Sequence, residues 1–242
     1  MTTASATGHK RTPTRRRRDG RRLTLRQYLS LSGVVIGMLL LAAACGPPTP
    51  PVPPISLPDS YAVADDFSPP DPRWARFDTD ESAVYALAGE LFLEDRGQGV
   101  SVYTPLLGER YADTDIRVDV RHVQGSVNNW LGILCRHQDV ENYYLLAISA
   151  DGYTLILRVV DGEPTPLVGP EYNEAIRIGK AENDLRVLCE GSSLSMWVND
   201  ELIATASDDT LMQPGDVALF ADAVQRGEIV VTAFDNFVLV EP

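Results

Sequence analysis

Alternating apolar and polar residues fill most of the chain after residue 59, and this period of two predicts β-strands. In 115–121 every second residue is apolar and the residues between them are charged, as in a strand with one buried face. Asp-Gly pairs at 151–152 and 161–162 flank another apolar-rich segment, 153–160. Asp-Gly is a strong hairpin signal because the turn needs positive φ.

About a dozen short strands are predicted, separated by turn residues at the spacing typical of an antiparallel sandwich or barrel. The first strand, Tyr61–Phe67, and the last, Val230–Val240, are both rich in apolar residues, and we expect them to pair. The sequence therefore predicts one all-β domain over 59–242.

The first 45 residues have the pattern of an export signal. A basic segment, 11–26, precedes an almost uncharged run, 28–44, which ends in small residues before Cys45. The ending Ala-Ala-Ala-Cys resembles the lipobox of bacterial lipoproteins, and 21–26 resembles a twin-arginine export motif. We predict a lipoprotein-type export signal over 1–44 and a lipid on Cys45. An uncleaved signal anchor and plain secretion are the alternatives.

The next segment, 45–58, contains seven prolines and no charged residue. Because proline fixes φ and lacks an N–H donor, we expect an extended polyproline stalk. All three interpretations of the export signal place 59–242 outside the cytoplasm. The predicted location is the cell membrane, with the lipid as the link to the bilayer.

Charge is divided unevenly along the chain, whose formal net charge is -13 from 34 acidic and 21 basic residues. Residues 1–45 hold nine basic residues and one acidic residue, which leaves 12 basic and 33 acidic residues, a net charge of -21, for 46–242. So acidic a body repels phosphate backbones, and this excludes nucleic acid as its partner.

Several short motifs occur in an order and spacing that resemble the concanavalin-A-like lectin/glucanase sandwich. They are Asp65-Asp66-Phe67, Tyr85 with Gly89-Glu90-Leu91, Leu131–Arg136, Glu141–Ile148, Asn183–Val187, Leu194–Asp200 and Phe234–Phe237. Within that fold, residues 60–241 look most similar to the laminin-G-like and 3-keto-disaccharide-hydrolase-like domains of bacterial surface proteins. The resemblance implies an extracellular, antiparallel jelly-roll β-sandwich that is often sugar-related, on a fold that hosts lectins, glycosidases and adhesion modules.

Catalytic motifs are missing from the sequence. Glucanases of this fold carry Glu-x-Asp-x-x-Glu on one strand, and the nearest match, Asp115 with Asp119, has another spacing and no following Glu. His9 lies in the predicted signal, while His122 and His137 lie at predicted strand ends. No Gly-x-Ser-x-Gly motif or zinc-type spacing occurs. We therefore assign no catalytic residue.

Cys135 and Cys189 are the two cysteines that remain once Cys45 is assigned to the lipid. Each is predicted on the apolar face of its strand. In an oxidising compartment two such cysteines indicate one disulfide. Two buried free thiols are the alternative.

No organic cofactor is predicted, and a structural Ca²⁺ is the inorganic candidate, because relatives of this fold often hold one through oxygen ligands. Asp65, Asp66, Asp235 and Asn236 come from the two terminal strands that we expect to be neighbours. Hydrogen bonding in turns and at the sheet edge explains the same four residues and is the alternative.

Five side chains are predicted to form a sugar platform on one concave sheet face. They are Trp130, Arg136, Tyr144, Arg158 and Trp197. Aromatic rings would stack on a sugar ring, and the arginines would hydrogen-bond its hydroxyl groups. The alternative is that the aromatics pack inside the protein and the arginines neutralise carboxylates.

These features predict a lipid-anchored, non-catalytic β-sandwich that binds an extracellular glycan. A structural module with a surface protein as its partner is the first alternative. A sugar-active hydrolase is the second.

Overall fold

The computed structural model describes residues 62–242, which form fifteen β-strands. In chain order these are β1 (Val63–Asp65), β2 (Phe77–Asp78), β3 (Ser82–Leu87), β4 (Glu90–Asp95), β5 (Val102–Pro105), β6 (Thr114–Gly125), β7 (Asn129–Asp139), β8 (Asn142–Ile148), β9 (Tyr153–Val160), β10 (Glu163–Tyr172), β11 (Glu182–Glu190), β12 (Ser193–Val198), β13 (Glu201–Ser207), β14 (Asp216–Ala223) and β15 (Val230–Val240). The predicted export signal (1–44), Cys45 and the stalk (45–58) lie outside the described residues. Within 62–242, no helix is long and apolar enough to cross a membrane.

The strands form two antiparallel sheets. The nine-stranded sheet has the order β13-β12-β11-β6-β15-β4-β3-β2, with β1 paired to β15. The six-stranded sheet has the order β10-β9-β8-β7-β14-β5. This arrangement confirms the predicted all-β sandwich, and the pairing of β1 with β15 confirms that the two terminal strands are neighbours.

Alternation along each strand places one set of side chains between the sheets. In β6, Ile116, Val118 and Val120 are buried in this core, while the charged residues between them point outward. The predicted strand 153–160 coincides with β9. At the turn after β9, Asp161 and the glycine that follows it both have positive φ, as the Asp-Gly signal requires.

A disulfide between Cys135 of β7 and Cys189 of β11 links the two sheets through the core. Both cysteines have no exposed surface. The predicted disulfide is confirmed, and the alternative of two free thiols does not hold. Disulfides persist in oxidising compartments, so this one indicates an extracytoplasmic location.

Candidate functional site

The five residues of the predicted sugar platform do not share one face. Trp130 lies on the outer face of the six-stranded sheet. Arg136, Tyr144 and Arg158 belong to the same sheet but are engaged with loops between the sheets, and Trp197 lies in the nine-stranded sheet. Alternation along a strand predicts which residues point outward, but it does not tell which sheet a strand joins.

Arg136 leaves the face of Trp130 because β7 contains a bulge. The φ of Arg136 is 48°, and the pairing of β7 with both neighbouring strands shifts register around this residue. Its guanidinium donates to the backbone oxygens of Ala112 (2.6 Å), Gly191 (2.6 Å) and Leu211 (3.1 Å), and to Asp113 Oδ1 (3.1 Å). The side chain is 1% exposed, so it cross-links these loops and offers no surface to a ligand.

Tyr144 and Arg158 are direct partners across β8 and β9, and both bind Asp208. Tyr144 Oη donates to Asp208 Oδ1 (2.6 Å), and Arg158 Nη1 donates to Asp208 Oδ2 (2.6 Å) and to Thr210 Oγ1 (3.0 Å). Burial and the hydrogen bond to this carboxylate raise the pKa of Tyr144 to about 12. Burial opposes ionisation of Asp208, but the hydrogen bonds from Tyr144 and Thr210 outweigh it and lower its pKa. The cluster therefore holds the loop after β13 against the six-stranded sheet.

Trp197 lies on the outer face of the nine-stranded sheet, beneath an arginine. The guanidinium carbon of Arg186 is 4.7 Å from the centre of the Trp197 ring, and Arg186 also donates to both oxygens of Asp115 (2.9 and 2.6 Å). Trp197 is only 7% exposed. This cation–π contact agrees with the packing alternative that the sequence left open.

Trp130 lines a cavity of about 510 Å³ at one end of the six-stranded sheet, which we call the Trp130 cavity. Its wall consists of Asn128, Trp130, Ser149, Asp151, Tyr153, Pro170 and Val224. This volume lies within the roughly 300–1,000 Å³ that is usual for ligand sites. Tyr153 is 40% exposed, and its ring meets that of Tyr172 edge to face at 5.9 Å. Two aromatic rings and three polar side chains thus share one open cavity.

Buried hydrogen bonds of Asn129 connect two segments that contribute residues to the Trp130 cavity. Asn129 has no exposed surface, and its Oδ1 accepts from the backbone N–H of Ala150 (3.0 Å). Its Nδ2 donates to the backbone oxygen of Ser126 (2.7 Å). Because Asn129 binds the loop before β7 and the turn after β8, both sides of the cavity are held in place before any ligand arrives.

The turn between β8 and β9 presents a carboxylate, that of Asp151, in the cavity wall. Ser149 Oγ accepts from the backbone N–H of Tyr153 (2.9 Å) and donates to Asp151 Oδ1. Asp222 pairs with Trp130 across β14 and β7 but does not line the cavity, and burial raises its pKa. The cavity wall therefore carries a single carboxylate.

Sequence reasoning identified Trp130 but missed the rest of the cavity wall. The sequence marked Asp151 only as half of a hairpin turn. Asn128 and Ser149 lie in connections, where no period predicts orientation. Alternation in 153–160 groups Tyr153 with the apolar residues Leu155 and Leu157, opposite Arg158, so the sequence contains no signal that Tyr153 is exposed.

The predicted calcium ligands do not converge on one point. Asp65 accepts from the backbone N–H groups of Phe67 (2.7 Å) and Asp71 (2.7 Å) and from Trp74 Nε1 (2.9 Å), so it organises its own loop. Asp66 and Asp235 each accept a hydrogen bond from a backbone N–H one or two residues further along the chain, and Asn236 donates to Asp119. A cavity of about 620 Å³ is lined by Asp65, Asp66 and Asn236 but not by Asp235. Among residues 62–242, no group of three or more His, Cys, Asp or Glu side chains could hold a metal ion.

Comparison with curated proteins gives one short similarity. No protein-family model matches the chain. A TPR repeat-containing protein of Treponema pallidum (strain Nichols) is 29% identical over 93 residues, which is 37% of this chain and 11% of that protein. The chain therefore spans about a tenth of the length of this curated relative.

Solved structures give a broader similarity. The carbohydrate-binding module CBM66 from Bacillus subtilis matches 70% of this chain and 96% of its own, with a TM-score of 0.56 and 16% identity. A β-1,3-1,4-glucanase (lichenase) from a mouse hindgut metagenome matches 74% and 99%, with a TM-score of 0.55 and 10% identity. LamAcat from Zobellia galactanivorans matches 76% and 98%, with a TM-score of 0.53 and 11% identity. Binding modules and glucanases share this architecture, and the chain has the concanavalin-A-like β-sandwich fold.

Proposed function

We propose that the protein is a non-catalytic module that binds an extracellular glycan in the Trp130 cavity and is held at the membrane by a lipid on Cys45. The observation that carries the proposal is the composition of the cavity wall. Trp130 and Tyr153 supply aromatic faces for the C–H side of a sugar ring. Asn128, Ser149 and Asp151 supply hydrogen-bonding groups for its hydroxyls.

The same wall argues for binding and against hydrolysis. A glycosidase needs two carboxyl groups on either side of the scissile bond, about 5–9.5 Å apart. Within 62–242, Asp151 is the only carboxylate that lines the Trp130 cavity. One carboxylate can accept hydrogen bonds from a sugar, but it cannot supply both the acid and the base or nucleophile of the reaction.

The fold and the disulfide support an extracellular ligand. Carbohydrate-binding modules and glucanases share the sandwich, which makes a glycan a reasonable ligand class to test. The disulfide is that of a protein in an oxidising compartment, where glycans are accessible.

A glycan array followed by calorimetry on the full chain tests the proposal. The protein is purified in a detergent without a sugar headgroup, since such a headgroup would compete. We expect binding in the micromolar range that Trp130→Ala abolishes. Trp197→Ala is the matched control, because it removes the same ring from the other sheet and should leave the affinity unchanged. Thermal unfolding of both variants shows that each is folded.

Two outcomes would contradict glycan binding. One is the absence of any interaction up to high micromolar protein concentration, which would favour the surface module with a protein partner. The other is an affinity that Trp130→Ala does not change, which would place the glycan elsewhere on the molecule.

The proposed anchor has a separate test. Cys45→Ala should move the exported protein from the detergent phase to the aqueous phase in a two-phase partition, because the cysteine is the site of the lipid. Cys135→Ala with Cys189→Ala is the control that removes cysteines without touching the anchor. If Cys45→Ala stays in the detergent phase, the mass of the original protein decides, since a chain without lipid that still contains 28–44 makes this apolar run the anchor.

A further inference from the structure

We infer that the Trp130 cavity selects neutral glycans and that Asp151 is the residue that sets this selectivity. The inference rests on the proposed glycan-binding function and adds the chemical class of the ligand. Its basis is the position and the hydrogen bonding of a single carboxylate.

One carboxylate oxygen of Asp151 is hydrogen-bonded within the protein, and the other is not. Oδ1 accepts from Ser149 Oγ, which is itself fixed by the backbone N–H of Tyr153. Oδ2 has no hydrogen-bond partner among residues 62–242. A carboxylate oxygen accepts strong, charge-assisted hydrogen bonds from hydroxyl groups. Asp151 Oδ2 can therefore accept a hydrogen bond from a hydroxyl group of a sugar in the cavity.

The remaining wall residues provide no positive charge. Asn128, Trp130, Ser149, Tyr153, Pro170 and Val224 are all neutral. A uronate, sialate or sulfate group in the cavity would meet the charge of Asp151, and no lysine, arginine or histidine of the described part of the chain lines the wall to balance it. The body around the cavity is also acidic, since 46–242 carries a net charge of -21 from 12 basic and 33 acidic residues. Like charges this close lower affinity by at least about tenfold at low salt.

The test uses pairs of ligands that differ in one kind of group. Cellotetraose and galactotetraose are compared with their counterparts in which the four primary alcohols at C6 are oxidised to carboxylates. For the full chain we expect the neutral sugar to bind at least about tenfold more tightly than its oxidised counterpart. Added salt should narrow this difference, because it screens the repulsion.

Asp151→Asn should reduce the difference in affinity between the neutral and the oxidised sugar to less than about threefold, because it removes the repelling charge. The variant should also bind the neutral sugar about tenfold more weakly, because a charge-assisted hydrogen bond becomes a neutral one. Asp161→Asn is the matched control. It removes the same charge from the other Asp-Gly turn of β9, outside the cavity, and Asn tolerates the positive φ there.

The results separate the two proposals. If neither sugar of any pair binds, and the glycan array is also empty, the proposed function fails together with the inference. If oxidised sugars bind as tightly as neutral ones, glycan binding stands and the inference is wrong. The inference is also wrong if Asp151→Asn keeps the full difference between neutral and oxidised sugars while the variant unfolds at the same temperature as the original protein.

Discussion

The protonation of His137 depends on its buried surroundings. The residue is 6% exposed, and its ring lies 5.1 Å from the ring of Tyr103 and 5.9 Å from that of Tyr143, measured between centres. Nδ1 is 3.8 Å from Asp216 Oδ2, and neither ring nitrogen has a hydrogen-bond partner within 62–242. Burial lowers the pKa of His137, although Asp216 and Asp139 act in the opposite direction. The folded protein therefore favours the neutral form of His137.

This environment predicts that the free energy of unfolding decreases as the pH is lowered. An unfolded histidine binds its proton near pH 6.5, whereas folded His137 binds it only at lower pH. The unfolded state therefore gains protons first, and the free energy of unfolding should decrease between about pH 7.5 and about pH 5. His137→Phe should flatten this dependence in urea titrations at each pH. His122 also has a pKa lowered by burial, so part of the slope should remain in the variant.

The difference between the original protein and His137→Phe isolates this residue. Asp184 and Asp222 have pKa values raised mainly by burial, and their protonation in acid acts in the opposite direction in both proteins. An identical slope for the two proteins would contradict the prediction, because it would show that His137 binds its proton as readily in the folded state as in the unfolded state.

At the level of strands, the period of two predicts most of the sheet but stops at irregularities. It predicts β9 and the turns around it correctly, because a regular strand exposes alternate residues. It fails after the bulge in β7, where Arg136 enters the left-handed region and turns away from the face of Trp130. For Trp197 it predicts the outward face correctly but not the sheet, because strand order in the sheets depends on long-range pairing. The Trp130 cavity was largely hidden for the same reason, since loops from distant parts of the chain form its wall.

The close contact of β7 with β8 gives a prediction at this level. A Cβ atom on Gly132 would lie 2.3 Å from the backbone oxygen of Leu146 and 2.8 Å from Cβ of Ala147. Gly132→Ala should therefore push the two strands apart and lower the free energy of unfolding by about 1–3 kcal/mol. Chemical denaturation measures the loss. Gly191→Asn is the control, since a Cβ there meets no atom within 4 Å and Asn tolerates positive φ.

Equal stability of Gly132→Ala and the original protein would contradict this prediction. It would mean that β7 and β8 can separate by several tenths of an ångström without cost, and that their packing is looser than the structure shows.

For the whole molecule, the link between the two sheets was predictable while their mutual arrangement was not. Two cysteines on apolar strand faces in an exported chain are enough to predict a disulfide. Their positions in opposite sheets, in β7 and β11, follow only from the complete topology. The concanavalin-A-like fold was predictable from the order of the motifs, because that order reflects the order of the strands.

Removing this link should weaken the whole sandwich. Cys135→Ala with Cys189→Ala should lower the free energy of unfolding by about 2–4 kcal/mol, because the bridge restricts the unfolded chain over a sequence separation of 54 residues. Urea denaturation measures the change, and the original protein unfolded in the presence of reductant is the comparison. An unchanged midpoint would show that packing between the sheets alone determines their stability.

The complete burial of the disulfide also has a consequence for when it can form. Cys135 and Cys189 have no exposed surface, so an oxidant can reach their thiols only while the chain is still open. A protein that crossed the membrane already folded, as a twin-arginine signal requires, would arrive with both thiols enclosed and still reduced. Transport as an open chain avoids this problem, since oxidation and closure of the core then occur on the same side of the membrane.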